Sequence, residues 1–244
     1  MAYFFTLPGY IFTIVLMGDD LYLWTITLSF TFVNPHTMFL HYSPFWLKIF
    51  FPHYTWHVKT KEKSIFLTFD DGPIPDITEF VLDTLTQFDA KATFFCIGDN
   101  VRKHPSVFKK IIDEGHSIGN HTFNHLNGWK TQDHEYLANI DLCEKELNLE
   151  TNLFRPPYGR MKKSQAAQLP KEKKIVMWDV LSGDFSLARK PEICLKKTIQ
   201  YTRPGSIVLF HDSLKAAKNM QYALPRFLDH FANKEYQFKA LPMC

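Results

Sequence analysis

The stretch Ser64-Ile-Phe-Leu-Thr-Phe-Asp-Asp-Gly-Pro73 sets the frame for the rest of the chain. Its first six residues form a short apolar run, rich in β-branched and aromatic side chains, of the length of a buried strand. The run stops in two carboxylates, Asp70 and Asp71, followed by Gly72-Pro73, a strong turn signal. In α/β proteins, catalytic and metal-binding groups collect at the carboxyl ends of strands. Taken alone, Asp-Asp-Gly-Pro reads equally well as a polar turn that caps a strand. The two readings separate only if the chain supplies partners for a pair of adjacent carboxylates.

Outward from this stretch, short apolar runs alternate with helical patterns. Residues 75–88 read as a helix whose apolar face is Ile77, Phe80, Val81, Leu82, Leu85 and Phe88. Residues 92–97 read as a buried strand, 105–114 as a helix stopped by Gly115, and 116–120 as a strand running into a polar loop. Another helix is expected over 134–149, then Leu153-Phe154, a strand over 174–180 and a helix over 191–201. A clean apolar strand over 206–210 ends at His211-Asp212, and a last helix covers 216–232. This alternation implies βαβ units and a parallel sheet. The expected fold is α/β, a distorted (β/α) barrel of about seven parallel strands rather than an open doubly wound sheet. No Gly-rich phosphate loop follows any strand, which disfavours nucleotide-binding versions of such folds.

A chain of 244 residues can bury a sizeable core, and its 22% charged and 45% hydrophobic residues are ordinary for a globular protein. A net charge of +3 is too small to argue for nucleic acid as a partner. Aromatic residues reach 16%, which suits both a large core and sugar-stacking surfaces. Cys96, Cys143, Cys194 and Cys244 lie far apart and form no CxxC pair, so no zinc ribbon or redox motif is present.

The first 47 residues differ in character. They contain no Lys or Arg, and two apolar runs are split by Gly18-Asp19-Asp20. The basic region of a signal peptide is missing, and neither run reaches the roughly 20 apolar residues of a spanning helix. Three readings follow: a poor membrane anchor, an interfacial segment, or an extension outside the working protein with Met38 as the more natural start. The third is preferred. The location expected is the cell envelope or the cytoplasmic membrane if the segment is native, and the cytoplasm otherwise. Oligomeric state is not legible.

His121-Thr-Phe-Asn-His125 is the second informative element. Two histidines four apart meet on one face of a helical turn. In a strand the same spacing would separate them by roughly 13 Å, too far for ligands that each sit about 2 Å from one ion. If both bind one metal, the segment is helical or tightly turned. With a carboxylate from Asp70-Asp71 they make two His plus one carboxylate, an open catalytic donor set. Adjacent aspartates also suit a division of labour, one binding metal and the other taking a proton from bound water, whose pKa falls from about 16 towards 7. His211, at a strand end, suits a general acid. Arg155-Pro156-Pro157-Tyr158 is stiffened by two prolines and can fix a guanidinium and a backbone N–H.

These pieces, in this order, resemble the NodB-type polysaccharide deacetylases, a carbohydrate esterase family. Its five motifs read here as Thr68-Phe-Asp-Asp-Gly-Pro73, His121-Thr-Phe-Asn-His125, Arg155-Pro-Pro-Tyr158, Leu181-Ser-Gly-Asp-Phe185 and Leu209-Phe-His211, spanning residues 64–215. The resemblance implies that Asp70 is the general base and that Asp71, His121 and His125 bind a divalent metal, usually Zn²⁺. It implies that Arg155 positions Asp70, that the Tyr158 N–H stabilises the oxyanion beside Pro157, and that Leu209 lines the acetyl pocket. His211 would protonate the leaving amine, with Asp184 tuning its charge. The fourth motif departs from the family's Asp-[Ala/Ser]-x-Asp-Trp in having Leu181 and Phe185 at the outer positions. Asp179, two residues before Leu181, is a candidate to replace the missing carboxylate, depending on which face of the strand it takes.

The resemblance implies a catalytic domain over residues 48–244, with residues 1–47 an apolar extension of uncertain status. The expected activity is removal of the N-acetyl group from an N-acetylated sugar in a peptidoglycan or chitin-like glycan, with release of acetate. Alternatives are deformylation or deacylation of a small or lipid-linked amino sugar, and a non-catalytic carbohydrate-binding role. Trp129 is a candidate sugar-stacking residue at the rim and equally a core tryptophan.

Overall fold

The computed structural model describes residues 41–243 and, nearer the N-terminus, residues 2–7, 10–15 and 29–32. The chain divides into two compact units, Met1–Leu40 and His41–Cys244. In the first, β1 (Ala2–Leu7), β2 (Tyr10–Val15) and β3 (Ser29–Phe32) form an antiparallel sheet in that order. Most of residues 1–47, expected as an apolar extension, lie outside the described residues. Among those described, no helix is long and apolar enough to cross a membrane.

The second unit opens with α1 (Phe45–Phe50) and then alternates strands and helices. In chain order these are β4 (Ser64–Asp70), α2 (Ile77–Gln87), β5 (Thr93–Cys96), α3 (Gly98–Lys103), α4 (Pro105–Asp113), β6 (Ser117–Asn120), α5 (Asp133–Leu147) and β7 (Leu153–Phe154). They continue with α6 (Lys163–Ala166), β8 (Lys174–Ile175), β9 (Val180–Leu181), α7 (Pro191–Tyr201), β10 (Ile207–His211), α8 (Ala217–Ala232) and β11 (Gln237–Lys239). Seven strands run in the order β8-β7-β6-β5-β4-β10-β9, every neighbouring pair parallel. β11 adds to the amino end of β4, on the edge that β5 uses further along.

The curl of this sheet follows from its connectivity. A flat sheet of seven strands would hold β8 and β9, its two edges, about 29 Å apart. The chain from Ile175 to Val180 can reach at most about 18 Å, so the edges must turn toward each other. The segment 174–180, expected as one strand, is therefore two short pieces that pair with opposite edges of the sheet. The seam between them is sealed by residues from the start of the unit: Thr55 pairs with Val176, Tyr42 with Val180 and His57 with Ser206. The result is a curled half-barrel, the distorted (β/α) barrel expected from the sequence.

Side-chain alternation then sorts core from site. On β4, Ile65, Leu67 and Phe69 face the helices in the main core, with Val208 and Phe210 of β10 and Phe94 of β5. α2 and α8 close this layer with Val81, Leu82, Leu85, Met220, Leu224, Phe227 and Leu228 at helical spacing. The intervening β4 positions point into the barrel. Phe66 fills its floor with Phe95, Leu153, Val176 and Ile207, and above it stand Thr68 and Asp70.

Candidate active site

Arg155 crosses the barrel interior and organises the floor of the site. It follows β7, is wholly buried, and spreads its guanidinium over the Phe95 ring at 4.1 Å. Its Nη1 donates to Asp70 Oδ1 at 2.6 Å and to Thr68 Oγ1 at 2.9 Å. Nε and Nη2 donate to the carbonyls of Val176 and Met177 at 3.1 and 2.9 Å. These contacts tie the seam of the barrel to β4 and hold one oxygen of Asp70, leaving Oδ2 3.7 Å from His121 Nε2. A buried carboxylate without such a partner would be strongly disfavoured.

Asp71 needs to escape strand alternation, and it does. Its φ of 82° turns the backbone out of extended geometry one residue past β4, so both carboxylates face one side. Its carbonyl accepts the Asn100 amide at 2.7 Å, and the Gly72 carbonyl accepts the Ile97 N–H at 3.0 Å. The 121–125 segment is tightly turned, not helical. Thr122 and His125 both have positive φ, 63° and 56°. Asn139 accepts the N–H groups of Phe123 and Asn124 at 2.9 Å each, and Asn120 accepts that of Thr122.

Asp71 Oδ1 lies 3.2 Å from His125 Nε2 and 3.8 Å from His121 Nε2. The three ligand atoms fall within 4.8 Å of one another. His121 Nδ1 donates to the Arg155 carbonyl at 2.7 Å, which fixes the tautomer and leaves the Nε2 lone pair aimed at Asp71. Such an outer hydrogen bond is the usual support of a metal-binding histidine. Burial lowers the His121 pKa to about 4, outweighing the pull of Asp70 and Asp71, so the ring is a neutral donor. Burial raises the Asp71 carboxyl, but the His125 hydrogen bond and the surrounding imidazoles hold it well below the usual carboxylate range. Two imidazoles, that of His121 neutral, and an ionised carboxylate converging on one point fit a divalent cation.

Across the cleft, Asp184 is fully buried and grips His211 twice: Oδ1 accepts from Nδ1 at 2.8 Å and Oδ2 from the backbone N–H at 2.7 Å. Nε2 is left to face the cleft. Burial alone would lower the His211 pKa, but Asp184, with Asp71 and Asp70 further off, raises it to about 9. The ring is an imidazolium at neutral pH. Asp70, Asp71, His121, His125 and His211 line one open cleft of about 640 Å³, together with Tyr158, Leu209, Trp178, Leu181 and Phe185. Tyr158 sits in a left-handed turn (φ 60°) with its ring 4.6 Å from that of His125, while Pro157 is buried behind it and does not line the cleft.

The altered fourth motif puts Leu181 in the cleft wall and the Phe185 ring edge-on to His211, centroids 5.1 Å apart. Asp179 does not replace the missing carboxylate. It turns to His57 Nδ1 (2.8 Å) and Ser206 Oγ (3.3 Å) at the amino end of β10, away from the cleft. Trp129 is 60% exposed, so it is not a core tryptophan.

Asp212 went unassigned in the sequence, where it reads as the neighbour of His211. It is buried, and it accepts the Gly72 N–H at 3.0 Å and the Thr78 hydroxyl at 2.6 Å. Burial and Asp71 push its pKa up to about 7, against those two hydrogen bonds. It thus props the Asp-Asp-Gly-Pro turn from beneath. The fit explains Gly72, because an added Cβ would lie 2.7 Å from Asp212 Oδ1 and closer still to Oδ2. Gly72→Ala is expected to displace Asp71, lower bound metal several-fold and cost about 1–3 kcal/mol. Elemental analysis and thermal unfolding check this; unchanged metal content would show that Asp212 does not set the position of Asp71.

A curled parallel half-barrel with a His-His-Asp donor set at its strand ends, a buried Asp–Arg pair and a buried Asp–His pair defines a hydrolase of metal-dependent type. The polysaccharide deacetylase family model matches residues 57–174. Over 191 residues the chain is 37% identical to a peptidoglycan-N-acetylglucosamine deacetylase of Bacillus cereus, covering 75% of this chain and 89% of that one. It is 34% identical over 180 residues to the peptidoglycan-N-acetylglucosamine deacetylase PgdA of Listeria monocytogenes, covering 72% of this chain but only 37% of PgdA. The solved structure of the Bc1960 peptidoglycan N-acetylglucosamine deacetylase superposes with a TM-score of 0.75 at 31% identity, over 82% of this chain and 96% of that one. The chain belongs to the polysaccharide deacetylase family, enzymes that hydrolyse a carbon–nitrogen bond of an N-acetylated glycan, and metal dependence is a trait of that family.

Proposed function

We propose that this chain removes acetate from N-acetylglucosamine residues of a peptidoglycan-type glycan, with Zn²⁺ held by Asp71, His121 and His125. The carrying observation is the separation of roles between neighbours: Asp71 faces the two histidines, while Asp70 is locked to Arg155 beside them. A bound divalent ion would acidify a water and polarise the acetamide carbonyl. Asp70 Oδ2, the oxygen not taken by Arg155, receives the proton of the attacking water. The Tyr158 backbone N–H, fixed in its left-handed turn, is the donor toward the developing oxyanion. His211 Nε2 protonates the sugar nitrogen as the carbon–nitrogen bond breaks, giving acetate and a free amine. Leu209, buried and lining the cleft, would be the apolar contact of the acetyl methyl.

An acetate-release assay on peptidoglycan, chitin oligomers and monomeric N-acetylglucosamine tests this. Chelation is expected to abolish release and Zn²⁺ to restore it. Full activity in protein shown by elemental analysis to be metal-free would overturn the reading. The acid can be tested separately. Activity should hold while His211 is protonated and fall as pH rises through about 9. Asp184→Asn removes the partner that raises that pKa, so the alkaline limb should move down by about 1–3 units. A limb that stays in place in a pH–rate profile would assign it to another group.

A further inference from the structure

The cleft carries two cations that the chemistry above does not use. Arg160 follows the Tyr158 turn and Lys215 follows β10, and both line the cleft with exposed side chains. Among the described residues neither has a carboxylate partner. The acids of the cleft are engaged elsewhere: Asp70 with Arg155, Asp71 with the two histidines. Each cation instead rests on an aromatic ring. The Arg160 guanidinium lies 5.1 Å from the Trp129 centroid, and the Lys215 ammonium lies 5.9 Å from that of Phe185. Trp129 is itself pinned, its Nε1 donating to the Met161 carbonyl at 3.2 Å. Stacking of this kind steadies a long basic side chain and leaves its N–H groups outward.

Their positions bracket the reacting centre. Arg160 belongs to the β7 end and Lys215 to the β10 end, and β6, β5 and β4, which carry His121, Asp70 and Asp71, stand between them in the sheet. A glycan laid across Asp71, His121 and His125 from the β7 end to the β10 end would direct its two neighbouring sugars toward one cation each. In a chain where plain amino sugars alternate with lactyl-ether sugars whose carboxyl is free rather than amide-linked to peptide, both neighbours carry a carboxylate. In a neutral chitin-like chain neither does.

We propose that Arg160 and Lys215 are specificity-determining residues that bind carboxylates on the sugars flanking the one deacetylated, selecting an acidic alternating glycan over a neutral one. This rests on the deacetylase reading of the site. Each charge-assisted contact to an exposed cation contributes about threefold to tenfold in affinity, and it weakens with salt.

The test uses the metal-loaded full chain and three tetrasaccharides of equal length. These are chitotetraose, an alternating N-acetylglucosamine–N-acetylmuramic acid tetramer with free lactyl carboxylates, and the methyl ester of that tetramer. The free acid is expected to exceed its ester in kcat/KM by about tenfold at low ionic strength, mainly through KM, with the ratio shrinking at high salt. R160Q and K215Q should each pull the acid-to-ester ratio toward one. Equal turnover of acid and ester, or a ratio unchanged in both variants, overturns the selectivity while leaving the deacetylase reading standing. Absence of acetate from all three substrates overturns both.

Discussion

Asp70→Asn is expected to lower turnover by about 10²–10⁴-fold while leaving bound metal in place. The amide retains a carbonyl oxygen to accept from Arg155 but cannot take a proton from the attacking water. The metal ligands are other residues, so metal content should hold even as acetate release collapses. That pairing of outcomes separates the two neighbours, because Asp71→Asn should lose both together. If the Asp70 variant loses its metal along with its activity, Asp70 is a ligand and the division of roles is wrong. The substitution also has a structural cost. Asp70 is the buried counter-charge of Arg155, and leaving a guanidinium uncompensated in the interior costs about 3–5 kcal/mol. Thermal unfolding should therefore show a less stable enzyme that still binds metal.

Much of this site was legible because its residues lie at the ends of short apolar runs. Asp70, Arg155 and His211 each follow a run that packs as a strand, and a parallel sheet brings such ends to one rim. For His121 and His125 to serve one metal their spacing required a helical or turned segment, and the segment is indeed turned. What makes the turn was not legible. It depends on Asn139, distant in sequence, and on two positive φ values at residues whose types do not demand them. Asp212 was hidden for a similar reason: its partners, Gly72 and Thr78, lie more than a hundred residues away. The 174–180 run was apolar enough for one strand, yet closure of the sheet divides it between two edges, a constraint that exists only once all strands are in place. Asp179 shows the same limit. Two residues from the fourth motif, it was a reasonable substitute for a lost carboxylate, but its partners His57 and Ser206 draw it to the other end of the barrel.

Arg155→Met should be the most damaging single substitution for stability. The guanidinium satisfies two backbone carbonyls, one hydroxyl and one carboxylate, all buried, in a planar arrangement that no other side chain reproduces. Met fills much of the volume but strands Asp70 as an unpaired interior charge and leaves the Val176 and Met177 carbonyls without their donor. The expected loss is about 3–5 kcal/mol, or roughly 6–20 °C in Tm for a chain of this size, together with loss of activity through misplaced Asp70. Arg155→Lys should not rescue it, since an ammonium on a flexible stem cannot reach the two carbonyls and Asp70 at once. The double variant Asp70→Asn/Arg155→Met isolates the charge pair from the packing. With neither charge present, its destabilisation should fall short of the sum of the two single losses by about 2–3 kcal/mol. Additive losses would mean that Arg155 stabilises the barrel chiefly through the Val176 and Met177 carbonyls at the seam, and that its contact with Asp70 serves catalysis alone.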